Sequence, residues 1–296
     1  MAALIKLVAE LIKLRNMIIT RVKKFLICSV LLMCLSSFVG LSQAENPFQL
    51  IFIDEKTESK MGSFPYDRKI YAEALNLLKK YEAKAVVLKY FLDLPKTNDG
   101  DKLLSDAMKN IPVFLQANID NKETVPNPLP EKFFYNDFHL NRGLLIQGKS
   151  GWIPLPIFSE NCYQIGFVNI RNIDAVPLIE VYRGYPVKTL YLEILEYVIA
   201  SKVDFNSLKE IKINKRNIQL TEYSEITVEL PTVDHLQYIS FVDLIEGKVQ
   251  KKDVANKVII LGYDGEKIHS FDTKIGKIKA HRMFYYGLIG AYKKIS

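Results

Sequence analysis

The chain has 296 residues, of which 49% are hydrophobic and 25% are charged. An apolar fraction of this size is enough to build a core, which excludes an intrinsically disordered protein. The net charge of +7 comes mainly from the first 44 residues, and the rest of the chain is nearly neutral. That remainder therefore shows no basic stripe of the kind that binds nucleic acid.

The first segment in chain order, residues 1–44, is predicted to be a secretory signal. Basic residues at 21–24 precede an apolar run at 25–41, and the small residues Ser42 and Ala44 lie three positions and one position before the bond to Glu45. This order is typical of a cleavable signal sequence. Because the apolar run is close to the shortest length that spans a bilayer, an uncleaved membrane anchor is the alternative. Either form places the folded part in the periplasm or cell envelope.

The next stretch alternates between predicted strands and predicted helices. Short apolar runs at 48–53, 85–88 and 111–117 predict buried strands. Asp67 caps a helix after the first strand, and Asp101 begins a helix after the second. Strands alternating with helices at this spacing indicate right-handed crossovers and a parallel sheet. The inward-facing positions of the second helix are predicted to be Leu103, Leu104, Ala107 and Met108.

The last part of the chain contains another strand and helix pair, which we expect to return to the same sheet. The apolar run at 257–262 predicts a buried strand, and residues 280–292 predict a helix. Residues 45–296 are therefore predicted to form one α/β domain on a single mixed sheet, with mostly parallel central strands flanked by helices. Between the two clear regions, the remaining predictions are a strand at 163–170, a helix at 190–200, and strands or hairpin pieces at 211–220 and 225–230.

Two acidic residues, Asp54 and Glu55, directly follow the first buried strand. In open α/β sheets, ligands bind beyond the carboxyl ends of the strands, so both carboxylates are candidates for contact with a cation or a hydroxyl group. The alternative is that Asp54 hydrogen-bonds neighbouring backbone amides and shapes the loop to Gly62.

Basic and histidine side chains supply the other candidates. Arg68, beside the helix cap, could clamp a carboxylate or phosphate, or could pair with Asp54 or Glu55. Lys89 follows the second strand. A late cluster of acidic and histidine residues offers metal ligands in principle, although lone histidines near helix starts more often cap or pack, and we predict no metal and no cofactor. The cluster consists of Asp264, His269, Asp272 and His281.

The order of these motifs resembles the type-two CHASE domain, an extracytoplasmic sensory module of bacterial cyclases and histidine kinases. The resemblance covers about residues 48–292. Its motifs in this sequence are Ile53-Asp54-Glu55, Gly62, Phe64-Pro65-Tyr66-Asp67-Arg68, Gly166-Phe167-Val168-Asn169, Asp174, Ser240-Phe241-Val242-Asp243, Gly247, Lys257 to Gly262, Asp272 and His281. The chain departs from the family pattern in having Lys89 where aspartate is usual and Tyr66 where tryptophan is usual.

The resemblance implies a non-catalytic sensor that binds an unknown small ligand outside the cytoplasm. We expect a module without its own output domain, acting through a membrane-bound kinase or cyclase partner, with no nucleic-acid binding. Two alternatives stay open, namely a metal-assisted hydrolase using Asp54, Glu55 and His281, and a structural envelope protein with a degenerate sensor fold. The predicted ligand-binding residues are Asp54, Glu55, Arg68, Lys89, Asp272 and His281.

Overall fold

A computed structural model of the chain describes residues 46–122, 125–136 and 144–296, together with Met1, Arg15 and Met17. Residues Pro47–Ser296 form a compact unit. The predicted secretory signal at 1–44 lies outside the described residues except for Met1, Arg15 and Met17, so that prediction stays open. Within the part of the chain that is described, no helix has both the length and the apolar character needed to cross a bilayer.

The helices of the described residues alternate with short strands along most of the chain. The helices are α1 (Glu55–Met61), α2 (Arg68–Lys80), α3 (Asn98–Met108), α4 (Pro156–Ser159), α5 (Leu190–Ile199), α6 (Phe241–Ile245), α7 (Lys251–Val254) and α8 (Ala280–Ile295), with a single 3-10 turn at Glu131–Phe133.

The strands divide between one large sheet and several small ribbons. The large sheet contains β1 (Phe48–Ile53), β2 (Ala85–Leu88), β3 (Val113–Asp120), β5 (Ser150–Trp152), β6 (Gln164–Phe167), β14 (Ile239–Ser240) and β15 (Val258–Tyr263). The ribbons contain β4 (Gln147–Gly148), β7 (Ala175–Pro177), β8 (Ile179–Tyr182), β9 (Tyr185–Lys188), β10 (Asp204–Ser207), β11 (Glu210–Ile213), β12 (Arg216–Gln219), β13 (Glu225–Thr227), β16 (Ser270–Thr273) and β17 (Gly276–Lys279).

The large sheet is mixed, with parallel strands at its centre. Its order is β14-β1-β15-β2-β3, and β6 pairs parallel to the outer side of β3. Strand β5 runs antiparallel to the end of β3. The predicted fold class is therefore confirmed, and so is the return of the last strand, since β15 lies between β1 and β2 with six paired residues along β1.

Two apolar layers hold helices on the opposite faces of this sheet. Because side chains alternate along each strand, Ile51, Val86 and Leu115 face α2, α3 and α6, whereas Val87 and Phe114 face α5 and α8. Strands that are buried on both faces must be apolar at nearly every position, which is why these runs are easily identified in the sequence.

One helix start agrees with the predictions, whereas two other helices differ from them. Asp67 caps α2 as predicted, accepting a hydrogen bond from the Lys69 amide at 2.9 Å. Helix α3 begins at Asn98, one turn before Asp101, because Thr97 supplies the cap. Leu103 was wrongly predicted to face inward, since its side chain is 52% exposed. Helix α1 was not predicted at all.

Candidate functional site

A cleft of about 870 Å³ opens at the carboxyl ends of β2, β3 and β15. This volume is within the range of pockets that take up whole small molecules. Ligands of open α/β sheets bind at this edge. The cleft is lined by the segment after β2, by Gln116 of β3, by Trp152 of β5, by Tyr263 of β15 and by His281 of α8.

The sheet register places Lys89 and Gln116 side by side on the cleft floor. Leu88 pairs with Leu115, so the next residues of the two strands, Lys89 and Gln116, fall in one row. Both side chains point to the sheet face that α8 covers, because the Lys89 Nζ lies 3.9 Å from the centroid of the Phe284 ring.

Glycines on the neighbouring strands let two helices approach the sheet on either side of this pair. A Cβ on Gly262 of β15 would lie 2.8 Å from His281 Nδ1 at the start of α8. A Cβ on Gly166 of β6 would lie 2.2 Å from the Cα of Leu190 at the start of α5. Neither position has room for a side chain, so Lys89 and Gln116 are the side chains that this row presents between the two helices.

Lys89 and Gln116 are both deeply buried, and Lys89 contacts the ring of Phe284. Their exposed fractions are 4% and 3%, yet among the described residues neither side chain makes a hydrogen bond. Their polar atoms still reach the cleft, because the fully enclosed side-chain atoms without a hydrogen bond among the described residues belong to Tyr90, Glu180, Tyr182 and Asp243. Buried polar groups are normally hydrogen-bonded. The floor of the cleft therefore carries unsatisfied hydrogen-bonding capacity that a ligand could satisfy.

Burial also changes the protonation of these groups. The loss of hydration lowers the pKa of Lys89 from 10.5 to about 7. Burial and the nearby Lys89 ammonium lower the pKa of His281 to about 3. The backbone N–H of Tyr263 donates to His281 Nδ1 at 2.9 Å, which leaves the imidazole proton on Nε2. His281 is thus a neutral hydrogen-bond donor at physiological pH.

Aromatic rings form the walls of the cleft. The ring of Phe64 stacks on Tyr263 with centroids 4.5 Å apart, and Phe91 meets Trp152 edge-on at 4.6 Å. Trp152 is 41% exposed and is the only tryptophan of the chain. Planar or apolar groups of a ligand would find favourable contacts here.

Asp54 lies at the same edge of the sheet but has all the partners that a capping carboxylate needs. Its Oδ1 accepts hydrogen bonds from the Thr57 amide at 2.9 Å, the Thr57 hydroxyl at 2.7 Å and the Ser240 hydroxyl at 2.7 Å. It is the N-cap of α1, so the segment to Gly62 is a helix and not a loop. Glu55 is exposed in the first turn of that helix.

Arg68 lines the cleft, but its guanidinium is occupied. Its Nη1 donates to Asp101 Oδ1 at 2.6 Å, and its Nη2 donates to the backbone oxygen of Leu94. The side chains of Arg68 and Asp101 are 4% and 9% exposed. The ion pair that the sequence suggested with Asp54 or Glu55 is therefore replaced by one with Asp101.

The late acidic and histidine cluster does not assemble. Asp264 is held by Arg282, which donates to its two oxygens at 2.9 Å and 2.7 Å. Asp272 is exposed on β16 and lines a different depression, and His269 is exposed at the rim of the cleft. Within residues 46–122, 125–136 and 144–296, no three histidine, cysteine or acidic side chains are grouped to hold a metal ion.

The CHASE2 domain model matches residues 19–283, which is most of the chain. The chain belongs to the CHASE2 domain family. CHASE2 domains form a family of sensory, non-catalytic domains that lie outside the cytoplasm. No curated protein and no solved structure matches the chain.

Of the residues predicted from the sequence, Arg68, Lys89 and His281 line the CHASE2 cleft, whereas Asp54, Glu55 and Asp272 do not. Gln116 was missed. A glutamine inside an apolar strand, as in Val113-Phe-Leu-Gln-Ala117, is the kind of buried polar residue that points to a site, but the side of the sheet it faces depends on the pairing with β2.

Proposed function

We propose that this CHASE2 domain is exported to the periplasm or cell envelope, where it binds a small ligand in the cleft beyond β2 and β3. Ligand occupancy would then pass to a partner signalling protein such as a membrane-bound kinase or cyclase. The observation that carries the proposal is the pair Lys89 and Gln116, which are buried on the floor of the cleft and make no hydrogen bond among the described residues.

Keeping Lys89 and Gln116 on the cleft floor has an energetic cost for the folded protein. A methionine at position 89 and a leucine at position 116 would fill similar volumes without the cost of burying polar groups. Binding sites commonly retain such costs because the ligand supplies the missing partners. The floor of the cleft fits this pattern, and the degenerate-sensor alternative does not account for it.

Helix α8 connects the cleft to the rest of the domain. His281 and Phe284 lie one turn apart on α8. The ring of Phe284 contacts Lys89 Nζ, and the charge of Lys89 lowers the pKa of His281. The same helix packs against α5 through the stacked rings of Tyr191 and Phe284, 4.4 Å apart. A ligand that moves Lys89 would therefore change the contact between α8 and α5. Small shifts of packed helices are a common way for a protein to change conformation.

The test follows the fluorescence of Trp152 and the melting temperature of the purified protein while fractions of a periplasmic extract are added. Because Trp152 is the chain's only tryptophan and lies in the cleft, its emission reports occupancy. A ligand at 100 times its Kd should stabilise the fold by about 2.7 kcal/mol. Lys89→Met should abolish both changes.

The matched control is Lys69→Met, which removes an exposed lysine in the first turn of α2, outside the cleft lining. It should leave both responses intact. If no extract fraction changes either the emission or the melting temperature of the unaltered protein, the proposed function is wrong. If fractions act equally on the unaltered protein and on Lys89→Met, ligand binding occurs elsewhere.

A further inference from the structure

We infer that the ligand of the cleft is a small organic anion, whose carboxylate or phosphate group sits against Lys89, Gln116 and His281 and whose remaining part lies between Trp152 and Tyr263. This inference deepens the proposed function and rests on it. It specifies the charge and the general shape of the ligand that the sensor takes.

The three floor groups together form a set of donors. Lys89 offers an ammonium, Gln116 offers an amide NH₂, and His281 offers Nε2–H because its Nδ1 is occupied by the Tyr263 amide. None of these three donors has a partner among the described residues. An anionic oxygen group accepts several such bonds at once, and charge-assisted bonds are about twice as strong as neutral ones.

The floor also lacks the acidic group that a cationic ligand would need. The acidic side chain in the lining is Asp93, which is partly exposed, while Lys96 and Lys267 add positive charge near the rim. Arg68 contributes little net charge because Asp101 lies 2.6 Å away. A cation entering the cleft would meet repulsion that its neutral or anionic analogue would not.

Helix α8 strengthens the preference for an anion. This helix has 16 residues and begins at Ala280. His281, which lines the cleft, therefore lies at the positive end of the helix dipole. The buried Gln116 amide and Lys89 ammonium, which form no hydrogen bond within the part of the chain that the structure describes, line the same floor. The aromatic walls favour a planar or apolar part attached to the anionic group.

Binding should depend on pH, because an anion binds the charged form of Lys89. Below pH 7 the ammonium is mostly present, and above it the affinity should fall about tenfold for each pH unit. His281 is neutral throughout this range. The other titratable or charged groups around Lys89 in the cleft are Tyr90, Tyr263, Arg68, Asp93, Lys96, Lys267 and His269.

The experiment compares matched probes that differ only in charge. Phenylacetate, phenylacetamide and phenethylamine are titrated into the purified protein while Trp152 emission is recorded, and phenyl phosphate serves as the second anion. We expect the better anion to bind at least tenfold more tightly than the amide, and the amine not to bind. Which of the two anions binds better distinguishes a carboxylate from a phosphate ligand.

Variants connect the preference to the cleft floor. Lys89→Met and Gln116→Leu should each lower the affinity for the anion at least tenfold, to a value close to the affinity for phenylacetamide. Lys69→Met should leave both affinities unchanged. The decline in affinity above pH 7 should persist in His269→Gln and disappear in Lys89→Met. Persistence in Lys89→Met would assign the pH dependence to another group and overturn this part of the inference.

Failure of the inference and failure of the proposed function give different results. If the amide or the amine binds as well as the anions, and Lys89→Met abolishes that binding, the cleft is a ligand site but its ligand is not an anion. If neither anion binds below about 10 mM while extract fractions still change Trp152 emission, the inference is again wrong. If neither probes nor fractions act, the proposed function fails as well.

Discussion

The ends of β1 and β2 lie two strands apart at the same edge of the sheet, and each carries a buried charged residue. Asp54, after β1, receives three hydrogen bonds from Thr57 and Ser240. Lys89, after β2, lies against the ring of Phe284, in a row of the sheet where the starts of α8 and α5 pack on glycines of β15 and β6. It has no hydrogen-bond partner among the described residues. The location after a strand is shared, so it does not by itself distinguish a structural residue from a binding residue. The two residues differ in whether the polar group is hydrogen-bonded, and on this difference we propose Lys89, and not Asp54, as a binding residue.

The largest change in the free energy of unfolding is expected at Arg68, a cleft residue that, unlike Lys89, is fully paired. Arg68→Met leaves Asp101 buried without its cation, and such a loss typically costs about 3–5 kcal/mol. Urea unfolding measures the change in the free energy of unfolding. The double variant Arg68→Met with Asp101→Leu removes both charges and should recover more than half of the loss. A loss below about 1 kcal/mol in the single variant would show that Asp101 is hydrated.

Lys89→Met should have the opposite sign and raise the free energy of unfolding by about 3 kcal/mol at pH 6. A buried lysine whose pKa falls from 10.5 to about 7 opposes folding while it carries its proton. The unfolded chain binds that proton between pH 7 and 10, whereas the folded protein does not, so the unaltered protein gains stability over this interval.

The gain of Lys89→Met over the unaltered protein should therefore be largest below pH 7 and disappear near pH 10. Urea unfolding at several pH values measures this difference, and the subtraction removes titrations that both proteins share. If Lys89→Met is instead less stable at pH 6, the ammonium has a partner and the contrast with Asp54 fails.

Asp54→Ala should destabilise the protein by about 2 kcal/mol and leave ligand binding unchanged. The substitution removes the cap of α1 and the acceptor that the Thr57 and Ser240 hydroxyls share, which leaves these hydroxyls only each other, 3.0 Å apart. Asp54→Asn, which retains one acceptor oxygen, should lose less. Thermal unfolding and titration of Trp152 emission separate the two properties. Loss of the Trp152 response in a folded Asp54→Ala protein would place Asp54 in the binding site.

The smallest effect should come from Glu55→Gln. The side chain is exposed, and surface substitutions of this kind usually change stability by less than about 0.5 kcal/mol. Trp152 emission with bound ligand should match that of the unaltered protein. A tenfold change in affinity would show that the ligand reaches beyond the cleft to the start of α1.

The central sheet could be predicted from the sequence because strands buried on both faces must be apolar at nearly every position. Helix α1 could not be predicted, because residues Glu55–Met61 carry a single buried side chain, Thr57, and so show no apolar stripe. The candidates that the sequence offered after β2 and at the start of α8, Lys89 and His281, both line the cleft. The pairing of Arg68 with Asp101 joins residues 33 apart in the chain, and the row that contains Lys89 and Gln116 depends on strand register. Neither leaves a trace in local periodicity.

The position of β15 has a consequence for how this molecule is made. Residues 258–263 are synthesised late, yet they form the ladder that joins β1 to β2. Until they emerge, these two strands lack their common neighbour and expose unpaired edges. Closing the sheet requires contacts across more than 200 residues, which is slow compared with local folding. For a protein that we propose to be exported, this order would delay closure of the sheet until nearly all of the chain has been synthesised.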